Sequence, residues 1–319
     1  MRVLPVRALS ALVALLFASS ASAVTMDWTP VGNMGNACDP QSQGCFGEVG
    51  YAYSIGTYEV TNAQYTEFLN AKAASDPFGL YNTDMGITSF TPAAITRSGS
   101  SGSYAYVAVA GRGDMPVGYV SFFDALRFAN WMNNGQGTGD TETGAYTLLG
   151  GTATPSNSAT VTRNAGAAIV LTSENEWYKA AYYDAQSASY FDYPSRSDTT
   201  TTCTAPTASP NSANCGYVMQ DYTIVGIYSG SASPYGTFDQ GGNVWEWNEA
   251  IILSSAERGT RGGNYSFGPS SLAAIARDEN PPTYESGLGF RLAYIPEPTT
   301  GLLVTFGLLG LGIRRRARN

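Results

Sequence analysis

A loop-rich α+β domain is the fold class that this 319-residue sequence predicts. Two observations lead there. Gly, Ser, Thr, Asn and Tyr are frequent, with 36 glycines and 21 tyrosines, and long regular patterns are few, so much of the backbone must lie in turns and short elements. Three segments also share one local grammar: an extended apolar or aromatic stretch, then Ser or Thr, then a short amphipathic helix.

In the first segment, Tyr53–Val60 runs into Thr61 as N-cap, with Gln64 three residues on; its helix should bury Tyr65, Phe68 and Leu69. In the second, Val117–Val120 leads to Ser121, with Asp124 three on, and Phe122, Leu126, Ala129 and Trp131 or Met132 recur at helical spacing. In the third, Ile169–Leu171 leads to Thr172 and Ser173, and Trp177, Ala180 and Ala181 face inward. Ser173-x-x-Glu176 matches a capping box, which by itself accounts for Glu176. The stretches 98–103, 133–160 and 197–214 are polar and read as surface insertions. Residues 287–293, Gly-Leu-Gly-Phe-Arg-Leu-Ala, read as one late apolar strand.

The ends carry targeting signals. Residues 1–23 read as a secretory signal peptide: Arg2 and Arg7 are its positive start, Ala8 to Ala18 its apolar stretch, and Ala21-Ser22-Ala23 its small-x-small cleavage site. At the other end Pro296-Glu297-Pro298 is followed by an apolar run from Gly301 to Ile313 and by Arg314, Arg315, Arg316 and Arg318. Arginines closing an apolar run stay on the cytoplasmic side of a membrane. This tail, 295–319, resembles the PEP-CTERM sorting signal of Gram-negative bacteria that make exopolysaccharide. The resemblance implies a transient inner-membrane intermediate, an exosortase partner, and release to the cell surface or extracellular matrix. The run is shorter than the ~17 residues of an ordinary span, which favours a sorting tail over a permanent anchor.

Composition excludes several chemistries. Six of the 17 basic residues and one of the 25 acidic ones sit in the two signals, so the remainder holds 11 and 24, a net charge of −13. Such a surface repels nucleic acid and anionic membranes and suits cations. There is no histidine, which removes the commonest general base and transition-metal ligand. Four cysteines, Cys38, Cys45, Cys203 and Cys215, suggest disulfides in an exported chain. Three pairings are possible; local pairing, Cys38–Cys45 and Cys203–Cys215, is preferred because each pair lies in one polar loop.

Six blocks, in order, resemble the sulfatase-modifying factor (formylglycine-generating enzyme) family. They are Glu59-Val60-Thr61-Asn62-Ala63-Gln64-Tyr65; Pro116-Val117 with Val120-Ser121 and Trp131; Leu171-Thr172-Ser173-Glu174-Asn175-Glu176-Trp177; Gly241-Gly242-Asn243-Val244-Trp245-Glu246-Trp247; Arg261-Gly262-Gly263; and Gly289-Phe290-Arg291. They assign 50–294 to one domain, preceded by a lead-in over 24–49 that holds the Cys38/Cys45 loop. The resemblance implies a C-type-lectin-like α+β fold. It also implies bound calcium, held by the Asp239 and Glu246 side chains and the carbonyls of Gly242 and Val244, with a second set near Asn214, Cys215 and Asp221. The alternative for Glu246 is an ordinary ion pair among core tryptophans.

The family's oxidases hold copper between two cysteines that follow the Gly-Gly block, and soft thiolates suit Cu(I). In this chain the corresponding stretch places Phe267 and Leu272 near those positions, and no cysteine follows Cys215. Copper is therefore not expected, and the iron-dependent branch of the family needs histidines that are absent. What remains near the ancestral cleft is Trp245, Trp247, Arg261, Asn264, Tyr265, Arg277 and Arg291; its aromatics and amides suit a glycan or peptide, Arg261 and Arg291 could fork to a carboxylate or sulfate, and Arg291 reads as structural. Three functions stand: a non-catalytic surface binding module; an enzyme, either an oxidoreductase of the formylglycine-generating type acting on protein cysteine or another activity on the same scaffold; or a purely structural matrix protein with no ligand.

Overall fold

The computed structural model describes residues 23–86, 93–252 and 257–296. The expectations for residues 1–22 and for the tail from Glu297 onward lie outside these described residues. Among them, no helix is long and apolar enough to cross a membrane.

The three helices start where the sequence places them: α1 at Asn62–Lys72, α2 at Phe122–Asn133 and α3 at Glu174–Tyr182. Each opens with a complete capping box, from Thr61 and Gln64, Ser121 and Asp124, and Ser173 and Glu176. Both side chains of a box accept from amides that no intrahelical carbonyl reaches, so the turn is closed from both sides. In α1 Tyr65, Phe68 and Leu69 are buried as expected, and in α3 so are Trp177, Ala180 and Ala181.

Helix α2 departs from the amphipathic expectation. Every residue from Phe122 to Met132 is buried, Asp124, Arg127 and Asn130 included. Part of segment 133–160 covers its polar side, so the reading of that segment as a surface insertion holds for its exposed residues but not for Thr141, Ala145, Tyr146, Leu148 and Pro155, which are buried. Arg127 pairs with Glu142 at 2.7 Å and donates to the carbonyls of Thr152 and Ala153. Asn130 bridges the Thr141 carbonyl and the Tyr146 amide. Ala145, Tyr146 and Leu148 are carried into the core as a result. Low apolar content misled here because the segment is held by polar groups of α2 rather than by its own apolar residues. The 98–103 stretch is mostly exposed.

Two four-stranded sheets frame the core. In the first, Trp28–Val31 pairs with Tyr53–Gly56, then Leu292–Tyr294, then Ile169–Leu171, all antiparallel. The lead-in thus supplies a strand to the domain's own sheet. In the second, the order is Asp278–Asn280, Glu257–Arg261, Trp245–Ile252 and Leu288–Phe290, the last pair parallel. The single late strand expected over 287–293 is in fact two. The chain leaves one sheet at Phe290 and enters the other at Leu292, and Arg291 is the pivot. Between the sheets lies an aromatic core in which Phe128 packs on Tyr65, Phe68, Trp131 and Phe290, with ring centroids 5.3–6.0 Å apart.

Both disulfides are local, Cys38–Cys45 and Cys203–Cys215, as the loop composition favoured. The second ties Thr202–Cys203 to Ser212–Ala213, a short parallel pair. Thr201, Ser212 and Asn214 are buried around it, so 197–214 is also only partly a surface insertion.

Candidate functional site

The residues placed in the cleft divide into two groups. Trp245, Asn264 and Tyr265 line one cavity of about 220 Å³. Arg261 does not reach it. Its guanidinium is fully buried, pairs with Glu174 at 2.8 Å, donates to the carbonyls of Ala274 and Ala276, and lies over the rings of Phe46 and Tyr178. Arg277 meets the same Glu174 at 2.7 Å. A guanidinium that is fully desolvated and shares its carboxylate with another arginine is a structural group, and the assignment of Arg261 to the cleft is corrected accordingly.

Five separate segments build the cavity. Tyr119 comes just before α2, and Tyr222 from a later loop; Trp245 opens the central strand of the second sheet; Asn264 to Phe267 follow the Gly262-Gly263 turn; and Asp278, Asn280, Tyr284 and Ser286 to Leu288 close it. The Gly-rich turn has a packing reason. Gly262 and Gly263 adopt φ of +99° and +72°, and a Cβ on Gly263 would sit 2.9 Å from Leu272. Asn264 is fixed by its Oδ1, which accepts from the amide and hydroxyl of Ser266. Gly287 leaves room for the Asn264 amide nitrogen, which would lie 2.8 Å from a Cβ there.

The wall is aromatic and layered. Tyr265 stacks on Tyr217 at 6.0 Å and meets Tyr222 edge-on at 5.3 Å, while Trp245 meets Phe267 edge-on at 5.7 Å. Tyr217, Phe267 and Tyr284 are each about half exposed, at 50%, 47% and 46%. Interleaved with them are the amides of Asn264 and Asn280, the hydroxyls of Ser266 and Ser286, and the carboxylate of Asp278; no lysine or arginine is among the lining residues. Apolar faces beside amides and hydroxyls fit a ligand with flat apolar patches and many hydroxyl or amide groups. Sequence reasoning missed Tyr119, Tyr222, Asp278, Asn280 and Tyr284.

The positions where copper cysteines were sought are filled otherwise. Phe267 is on the rim, and Leu272 is buried against Ala213 and Cys215. All four cysteines are in disulfides. The Cys203–Cys215 loop nevertheless borders the cavity's outer wall, since the amides of Gly216 and Tyr217 donate to the carbonyls of Phe267 and Tyr265 at 2.7 Å each.

The residues drawn as a calcium cage do not fit one. Glu246 Oε1 accepts from Arg291 Nη2 at 2.7 Å, and Oε2 accepts from Arg291 Nε at 2.6 Å and from the Trp177 indole at 2.8 Å. Both oxygens are engaged, so the alternative reading of Glu246 as an ion pair among core tryptophans is the one the geometry favours. Asp239 accepts from the Gly226 amide. Gly242, at φ +90°, is required by close approach, because a Cβ would lie 2.4 Å from the Asn214 carbonyl oxygen. The amide of Val244's neighbour Asn243 donates to that same carbonyl, and Val244 is buried. In the second set Asp221 is forked to Arg112 at 2.7 and 2.9 Å, although Asn214 Oδ1 is buried without a hydrogen-bond partner. Among the described residues no three of His, Cys, Asp or Glu are grouped to hold a metal.

The cation that faces Glu246 is Arg291. Fully buried, it also donates to the carbonyls of Gly56 and Phe238 at 3.0 Å and lies 4.0 Å from Glu59. Burial, with Asp239 beside it, raises the Glu59 carboxyl well above the ordinary carboxylate range. Burial likewise pushes Asp239 up to about 6. One guanidinium thus faces three acids, and two of them hold protons more tightly than usual.

Comparison with known proteins agrees with this architecture. The sulfatase-modifying factor enzyme 1-like domain matches residues 32–295, and the PEP-CTERM protein-sorting motif matches residues 295–316. No curated protein is significantly similar in sequence. Among solved structures, variable protein 1 of Treponema denticola superposes with a TM-score of 0.54 at 19% identity, covering 87% of this chain and 98% of that one. CarF superposes with a TM-score of 0.55 at 20% identity, covering 86% and 99%. Likenesses at that identity establish a shared fold: a C-type-lectin-like α+β domain of the formylglycine-generating-enzyme type.

Proposed function

The chain belongs to the sulfatase-modifying factor enzyme 1-like family and carries a PEP-CTERM sorting motif, and from that premise we propose that it is an exported surface module that binds a glycan or a peptide. The sorting motif supports passage through the inner membrane, processing by an exosortase, and residence at the surface or in the matrix of a Gram-negative bacterium. The aromatic cavity of about 220 Å³ carries the binding reading: its faces offer stacking area, its amides and hydroxyls offer directional contacts, and it presents no basic group.

The family's oxidase chemistry finds little support in this chain's own residues. Phe267 and Leu272 offer no electron pair soft enough for Cu(I) where thiolates are needed, and the cysteines bordering the cavity are joined to each other. The reading is therefore of a scaffold that keeps the cleft and uses it for recognition.

The test is equilibrium binding of the purified protein to neutral oligosaccharides and to a peptide library, with Phe267→Ala and Tyr284→Ala alongside. Both side chains are about half exposed, so their removal leaves the fold intact. Each loss at a true site should weaken binding roughly tenfold. Binding that neither substitution alters would place the ligand elsewhere.

A further inference from the structure

Cleavage of the Ala23–Val24 bond is what the sequence of the leader implies, and we propose that the fold contains a socket built for the amine released at Val24. The environment changes abruptly at that bond: Ala23 is exposed, whereas Val24 is 7% exposed and belongs to the main apolar core. From Val24 on, the chain is tied down at successive residues. The Val24 nitrogen donates to Gln136 Oε1 at 2.7 Å, and Gln136 Nε2 donates back to the Val24 carbonyl at 2.8 Å. Gln64 Nε2 then reaches the Thr25 carbonyl at 2.9 Å, and the Thr57 amide reaches that of Asp27 at 2.8 Å. The first strand follows at Trp28.

Gln136 is held for this task. It sits just past α2 in the left-handed region at φ +65°, with its own amide on the Trp131 carbonyl at 2.8 Å. The reciprocal pair fixes its amide orientation, because the Val24 nitrogen can only face an acceptor and the Val24 carbonyl only a donor.

Hydrolysis of the bond by an export signal peptidase breaks the C–N bond, placing water's hydroxyl on the Ala23 carbonyl carbon and its proton on Val24 nitrogen. The new carboxylic acid then gives its proton to the amine, leaving a carboxylate on the leader and an ammonium at Val24. That new positive charge enters a favourable setting. The adjoining cavity of about 520 Å³, walled on one side by residues 23–27, carries Asp27, Glu67 and Asp114, with no lysine or arginine among its lining residues. Cleavage therefore completes a contact that a continuous chain makes with one amide proton only, and the small-x-small pattern at Ala21-Ser22-Ala23 lies on the leader side of the bond.

The test uses the full chain exported with its own leader from a Gram-negative host. Intact mass and N-terminal sequencing should give a chain beginning at Val24. Its α-amine should acylate at least fivefold more slowly than that of a free Val-Thr-Met peptide, and Gln136→Ala should remove the difference. A chain that retains Ala23 should melt a few degrees lower. A mature chain starting at any other residue, or an α-amine that reacts as fast as the peptide's, overturns the proposal; these two readouts decide it even if Gln136→Ala does not fold.

Discussion

Replacing Arg291 by Leu removes the cation that holds three buried acids and joins the two sheets. Breaking a buried, hydrogen-bonded pair by deleting one partner costs about 3–5 kcal/mol, because the other charge stays desolvated. Here the stranded group is Glu246, left with only the Trp177 indole as donor. The carbonyls of Gly56 and Phe238 lose a donor as well. A loss of about 4 kcal/mol is a large share of the ~5–15 kcal/mol that stabilises a folded protein. In urea, with an m-value near 3 kcal/mol/M, the midpoint should fall by about 1.3 M. Glu246→Leu should cost a similar amount, and the double substitution distinctly less than the sum, since no charge is then left alone. A loss below about 1 kcal/mol for Arg291→Leu, or strict additivity in the double variant, would refute the account of Arg291 as the cation of this cluster.

Further outcomes follow from the same structure. Chelation with EGTA should leave the melting temperature unchanged, because the carboxylate oxygens of Glu246 and Asp221 are engaged by arginines; a fall of several degrees would mean that calcium displaces one of those pairs. Stability should rise as pH falls from 7 to 5. Burial lifts Asp239 to about 6 and Asp124 to about 7, against about 4 when unfolded, so the folded state takes up protons over that window and gains about 3–4 kcal/mol. Glu176 acts oppositely: although burial works against it, the Arg163 fork holds its carboxyl low, so stability should drop once the pH passes below about 4, and calorimetry across pH 3–8 checks both. Cys203→Ser with Cys215→Ser opens a loop closed over 12 residues and should cost about 3 kcal/mol on chain-entropy grounds, read by denaturant titration.

Local chemistry was legible in the sequence where it acts over a few residues. The capping positions Thr61, Ser121 and Ser173 announce α1, α2 and α3, and the two disulfides are visible as polar loops between their cysteines. Legibility ends where partners are distant. Glu246 read as a carboxylate beside a Gly-rich turn, and nothing in its neighbourhood indicated that Arg291 and Trp177 would take its oxygens. Arg261 stood beside the cleft residues in sequence, yet alternation along its strand turned it toward Glu174, Phe46 and Tyr178. The cavity was half visible: Trp245, Asn264 and Tyr265 belong to the Gly-rich blocks, whereas Tyr119, Tyr222, Asp278 and Tyr284 come from loops whose meeting is a property of the whole fold. Segment 133–160 shows the same limit, since the part of it that is buried is held by Arg127 and Asn130 of α2.

Binding at the aromatic cavity is the claim on which the functional account rests, and calorimetric titration with neutral oligosaccharides and peptides measures it most directly. The wild-type protein should bind one such ligand class saturably, and Tyr284→Ala should bind it about tenfold more weakly at unchanged melting temperature. Stoichiometric copper uptake with oxidation of a cysteine-containing peptide, and no ligand binding that depends on Tyr284, would contradict it.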